Sequence, residues 1–90
     1  MLSYMPGIKV PKGWKNEGKR IARTYKFKTY MEAIGFLNIV ATIGEELMHH
    51  PDIYLENHNE LTIKTTTHEK GRVTAKDFEL ISRIEMIPRK

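Results

Sequence analysis

Ninety residues suffice for one domain with a small core, a size at which oligomerisation adds useful burial. Cysteine is absent, which excludes disulfides and thiolate nucleophiles and fits a reducing compartment. The net charge of +4 is uneven: residues 1–28 hold eight Lys/Arg against Glu17 alone (+7), and residues 29–90 hold seven basic and ten acidic residues (−3). A basic front end can meet phosphate or nucleic acid. No base-stacking aromatic array accompanies this one, so it reads as a lysine-protected sheet edge, and nucleic acid is not an expected partner. No apolar run approaches the roughly 18 residues of a membrane span. Met1–Pro6 lacks the basic and apolar regions of a signal peptide, so the expected location is cytoplasmic.

Residues 1–11, with Pro6, Gly7 and Pro11, read as a flexible N-terminal arm, and residues 12–90 as a single domain. Order is expected from Gly13-Trp14-Lys15, with turn chemistry at Asn16-Glu17-Gly18-Lys19. Ile21, Arg23, Tyr25 and Phe27 alternate with Arg20, Ala22, Thr24 and Lys26, the pattern of a half-buried strand. Thr29 is a candidate N-cap with Glu32 three residues on, and Ala33, Phe36, Leu37, Val40, Ala41, Gly44 and Met48 follow helical spacing until Pro51. The helix is expected over 29–49. Glu45 would then share a face with Ala41 and His49, partly shielded and within reach of that imidazole. Residues 52–58 suggest a short strand and Asn57–Glu60 a turn. Leu61, Ile63, Thr65 and Thr67 alternate with Thr62, Lys64, Thr66 and His68 in a second clear strand. Thr74 caps a last helix, with Asp77 three residues on and an apolar stripe of Leu80, Ile81, Ile84 and Ile87 before Pro88. The order β-β-α-β-β-α predicts an α+β fold, a four-stranded antiparallel sheet with both helices on one face.

Three of the four histidines sit near the two ends of the stretch from Gly44 to Asp77. Imidazole is the side chain whose free pKa, about 6.5, lies nearest working pH. His49 and His50, followed by Pro51, and His68 at the end of a threonine run therefore suggest proton transfer on a small molecule. Glu45 either orients His49 by accepting its ring N–H or forms a surface ion pair. Asp77 reads first as a helix-capping residue, Trp14 as a packing residue that could also stack on a flat ligand, and His58 as exposed in its turn. The three histidines and Glu45 are suitable ligand types for zinc or non-haem iron, yet their spacing matches no usual ligand pattern, so no metal is expected.

Gly13-Trp14, Phe27, Glu45-x3-His49-His50-Pro51, Asn59, Thr67-His68-x2-Gly71 and Thr74-x2-Asp77 together resemble the pterin-4a-carbinolamine dehydratase family, over about residues 12–87. The resemblance implies dehydration of 4a-hydroxytetrahydropterin to quinonoid dihydropterin, a step of tetrahydropterin recycling, with neither metal nor organic cofactor. It implies catalytic roles for His49, His50, His68 and Glu45. It also implies substrate binding at Met48, Thr66, Thr67 and Glu69, with Trp14 and Asp77 at further family positions. In the expected arrangement His49 and His68 share the acid and base roles, Glu45 fixes the tautomer of His49, and His50 contacts the pterin. A homodimer or homotetramer is implied as well. The chain departs from the pattern at Arg72, where a second glycine is common, in a longer turn at 57–59, and in a short arm where mammalian members carry a helix. Two other readings are a pterin-binding or protein-interaction module on the same fold, and a small metal-dependent hydrolase.

Overall fold

The computed structural model describes residues 10–89. The expected N-terminal arm therefore lies outside the described residues except at its end, where Val10 packs against the core and the Pro11 carbonyl accepts from the Trp14 N–H.

The elements follow in the expected order: β1 (Lys15–Asn16), β2 (Ile21–Lys26), α1 (Tyr30–Leu47), β3 (Asp52–Glu56), β4 (Glu60–Thr65) and α2 (Ala75–Glu85), with a 3₁₀ turn at His68–Lys70. The strands form one antiparallel sheet in the order β1-β2-β4-β3. Ile21 pairs with Thr65 and Lys26 with Glu60, which centres β4 between β2 and β3. The period-two side-chain pattern then sends Leu61, Ile63, Thr65 and Thr67 to one face, where all four are buried. Both helices cover that face. Val40, Leu80, Ile81 and Ile84 are almost solvent-free beneath it, each such side chain stabilising by roughly 1.5–3 kcal/mol.

The helix start is as expected: the Thr29 hydroxyl accepts from the Glu32 N–H at 3.1 Å. The buried stripe is Ala33, Phe36, Val40, Ile43 and Gly44. Ile43 thus replaces the expected Ala41 and Met48, both of which are exposed. The helical end also differs. α1 stops at Leu47, and Met48 takes the left-handed conformation (φ 52°), its N–H bonding to the Glu45 carbonyl. The His49 N–H then reaches back to the Gly44 carbonyl at 2.9 Å, closing a Schellman-type end. Gly44 is needed here. A Cβ on it would stand 3.1 Å from Pro51 Cδ and 3.3 Å from the His49 carbonyl oxygen.

β3 ends at Glu56, two residues before its expected limit, because Asn57 and His58 both adopt positive φ in the turn. β4 similarly ends at Thr65. Thr67 still bridges to Arg72, and His68 opens the 3₁₀ turn instead of closing a strand.

Candidate active site

Asp77 is the centre of the site. It is fully buried, and α2 places it at the third position after Thr74, where its Oδ2 accepts from the Thr74 N–H at 2.9 Å. That completes the capping box anticipated from the sequence. The same oxygen accepts from the Thr67 hydroxyl at 2.7 Å, while Oδ1 accepts from the Thr65 hydroxyl at 2.6 Å and faces His49 Nε2 at 2.7 Å. Burial pushes the Asp77 carboxyl up. The hydrogen bonds from His49, Thr65, Thr74 and Thr67 outweigh it and hold the group below the ordinary 3.8.

These contacts fix proton positions. A carboxylate only accepts, so the His49 nitrogen facing it carries hydrogen. When the ring is neutral, the lone pair is therefore at Nδ1. The Thr67 hydroxyl spends its one hydrogen on Asp77, so at 2.7 Å from Thr74 Oγ1 it must accept from that hydroxyl. The Thr74 oxygen in turn accepts from the Lys76 N–H. No described buried side-chain polar atom lacks a partner.

Glu45 does not hold His49. It pairs with His50, whose Nε2 lies 2.7 Å from its Oε2, and both side chains are largely exposed (58% and 75%). The cause is the early end of α1. Once Met48 turns left-handed, His49 leaves the helical face it would have shared with Glu45, and the carboxylate meets the next residue. The expected shielding of Glu45 is absent because the buried stripe runs through Ile43 and Gly44, which leaves Ala41 and Glu45 on an exposed face. Asp77, read from the sequence mainly as a cap, takes the orienting role, and Thr65 joins it unanticipated. A signal was present: Thr65 and Thr67 fall on the apolar face of their strand, and two buried hydroxyls require a buried acceptor.

The remaining expected residues divide between two places. His68 is exposed and follows Thr67, which shares the Asp77 carboxylate with His49. Glu69 is exposed too. Its carboxyl is held below its usual range first by its own backbone N–H and then by Lys76, whose Nζ lies 3.4 Å away. Thr66 faces the other way and donates to the Lys19 carbonyl. Together with Glu17, Lys19, Arg20, His68 and Gly71 it lines a cleft of about 410 Å³; neither His49 nor His50 lines it. Met48 contributes backbone at the helix end, its side chain 77% exposed. Thr67 is sealed inside, its hydroxyl committed to Asp77.

Trp14 lies elsewhere. It is buried, and its indole N–H donates to Glu85 Oε2 at 2.9 Å, alongside Arg23 and the Tyr25 hydroxyl. Glu85 is eight residues beyond Asp77 on α2, about 12 Å along the axis, so Trp14 packs at the far end of the helix. Burial raises the Tyr25 hydroxyl pKa well above its usual value, and Glu85 adds to the effect. Among the described residues no three His, Cys, Asp or Glu side chains converge in a metal-binding group, and no helix is long and apolar enough to cross a membrane.

The family model described as pterin 4 alpha carbinolamine dehydratase matches residues 5–87. A protein of Thermomicrobium roseum, provisionally named a pterin-4-alpha-carbinolamine dehydratase, is 42% identical over 72 residues, spanning 80% of this chain and 76% of its own. A relative from Sulfolobus acidocaldarius, named in the same provisional way, is 37% identical over 75 residues, spanning 83% and 81%. Among solved structures, the transcriptional coactivator/pterin dehydratase from Brucella melitensis superposes with a TM-score of 0.75 at 29% identity, over 82% of this chain and 80% of that one. A pterin dehydratase-like protein identified as a RuBisCO assembly factor in the alpha-carboxysome shares the fold, with a TM-score of 0.67 at 20% identity. With the four-stranded sheet, the two helices and a family match spanning nearly the whole sequence, this chain belongs to the pterin 4 alpha carbinolamine dehydratase family.

Proposed function

We propose that the protein dehydrates 4a-hydroxytetrahydropterins to quinonoid dihydropterins by histidine acid–base catalysis, without metal or organic cofactor. The reaction breaks the C4a–O bond and forms a C4a=N5 double bond. The hydroxyl leaves as water only if protonated, and the N5 proton must be lost. His49 and His68 carry these two roles. The observation that supports the reading best is the buried Asp77 carboxylate on His49 Nε2 at 2.7 Å. It fixes the tautomer and leaves Nδ1 as the basic nitrogen of the neutral ring. A capping aspartate alone would need no imidazole partner.

His50 contacts the pterin, with Glu45 setting its tautomer. Met48 and Glu69, at the helix end and in the 3₁₀ turn, supply backbone to the ring, and Thr66 and His68 border its outer side. Thr67 and Asp77 act through His49, and Trp14 through packing. Residues 12–90 form the working domain, and a homodimer or homotetramer supplies the burial that so small a core lacks. The test mixes protein with freshly generated 4a-hydroxytetrahydropterin and follows the quinonoid product by absorbance. Acceleration above the spontaneous rate is expected; a rate equal to the protein-free control overturns the proposal.

A further inference from the structure

We infer that the cleft beside His68 is a subsite for an anionic substituent, phosphate or carboxylate, on the side chain of the pterin; this rests on the dehydratase reading above. The cleft, about 410 Å³, is lined by Glu17, Lys19, Arg20, Thr66, His68 and Gly71. That size falls within the range of small-molecule sites, roughly 300–1,000 Å³. Its floor is tied together, because the Thr66 hydroxyl donates to the Lys19 carbonyl and so holds the β1–β2 turn against the strand leading to His68.

The charges in it favour an anion. Glu17 is the one carboxylate lining the cleft, and its Oε1 is already held by Arg20 Nε at 3.4 Å and by Lys64 Nζ at 3.6 Å. Arg20 is engaged through Nε, and its terminal nitrogens make no hydrogen bond among the described residues. Lys19 makes no ion pair among them. A planar guanidinium edge and a mobile ammonium on one concave wall suit a phosphate or carboxylate oxygen set. Arg72, exposed directly after Gly71, adds positive charge next to the lining. His68 is part of the wall, so a side chain tethered to a heterocycle reacting at His68 can enter the cleft. The feature is a bounded cleft with two cations, unlike the extended basic stripe that a nucleic-acid backbone requires.

The test compares kcat/KM for three 4a-hydroxytetrahydropterins that differ only in the side chain: uncharged, ending in phosphate, or ending in carboxylate. At low ionic strength the anionic substrates are expected to exceed the neutral one by about fivefold or more, mainly through KM, and added salt should shrink the gap. Lys19→Ala should lower the anionic-to-neutral ratio about two- to fivefold, and Lys19→Glu further. Preference for phosphate over carboxylate identifies a phosphoryl subsite; equal preference identifies a general anion subsite. Turnover of all three at equal efficiency, or a ratio unmoved in Lys19→Glu, overturns this inference alone. No turnover of any substrate overturns the dehydratase reading and the inference with it.

Discussion

Asp77→Asn isolates the charge of the central carboxylate with almost no change of shape. An amide has one acceptor oxygen. If that oxygen faces His49 and Thr65, the NH₂ group lies where Oδ2 was, opposed to the Thr74 N–H. Two hydrogen bonds then weaken from charged to neutral, about 1 kcal/mol each, and the capping contact at Thr74 is lost for about 1 kcal/mol more. The Thr67 hydroxyl, which donated to Oδ2, turns its hydrogen to Thr74 Oγ1 and accepts from the amide. The expected loss is about 3 kcal/mol, or a fall in Tm of roughly 12–24 °C for a domain of this size. Urea unfolding and thermal melts would measure it. The pH dependence supplies a second reading. The folded-state pKa of Asp77 is depressed, so its contribution is present above the ordinary 3.8 and is lost as pH falls through the folded value. Wild-type stability should therefore drop on acidification through that window, and the gap between wild type and Asp77→Asn should narrow there. A variant within about 0.5 kcal/mol of wild type, with a gap that does not change with pH, would refute the assignment of a buried, charged and fully hydrogen-bonded carboxylate.

Other substitutions probe other parts. Gly35→Ala should stabilise by about 0.5–1 kcal/mol, since a Cβ there meets nothing within 4 Å, whereas Gly44→Ala should lose about 1 kcal/mol against Pro51 and His49 despite the same gain in helix propensity; urea midpoints of the pair decide. Glu85→Gln should cost about 1–2 kcal/mol, discounted for a side chain 31% exposed, and should shift Trp14 fluorescence while leaving turnover near normal. Glu45→Ala should lower kcat by no more than about threefold, against roughly 10² for Asp77→Asn, because the exposed Glu45–His50 pair holds its ring weakly; equal losses in a kcat comparison would restore Glu45 to the orienting role.

The fold was legible because local and global signals agree. The alternation through Ile21–Phe27 and Leu61–Thr67, the two Thr caps and the apolar stripe of α2 each point to the element that forms. The site was legible in membership and less so in wiring. Glu45 and His49 are four apart, so a helix continuing to 49 would pair them. The left-handed turn at Met48 breaks that register, and methionine, unlike glycine or asparagine, gives no warning of it. Asp77 was hidden by sufficiency: the capping box explains it locally, and its contact with His49 spans 28 residues of sequence. Trp14 is bound by a carboxylate 71 residues away, a pairing that no spacing rule reveals.

The central claim is that His49 and His68 move the protons of a dehydration. Single-turnover kinetics with freshly generated 4a-hydroxytetrahydropterin, comparing wild type with His49→Ala and His68→Ala, tests it most directly. Each variant should fold and yet lose at least about 10² in rate. Folded variants that retain the wild-type rate would contradict it.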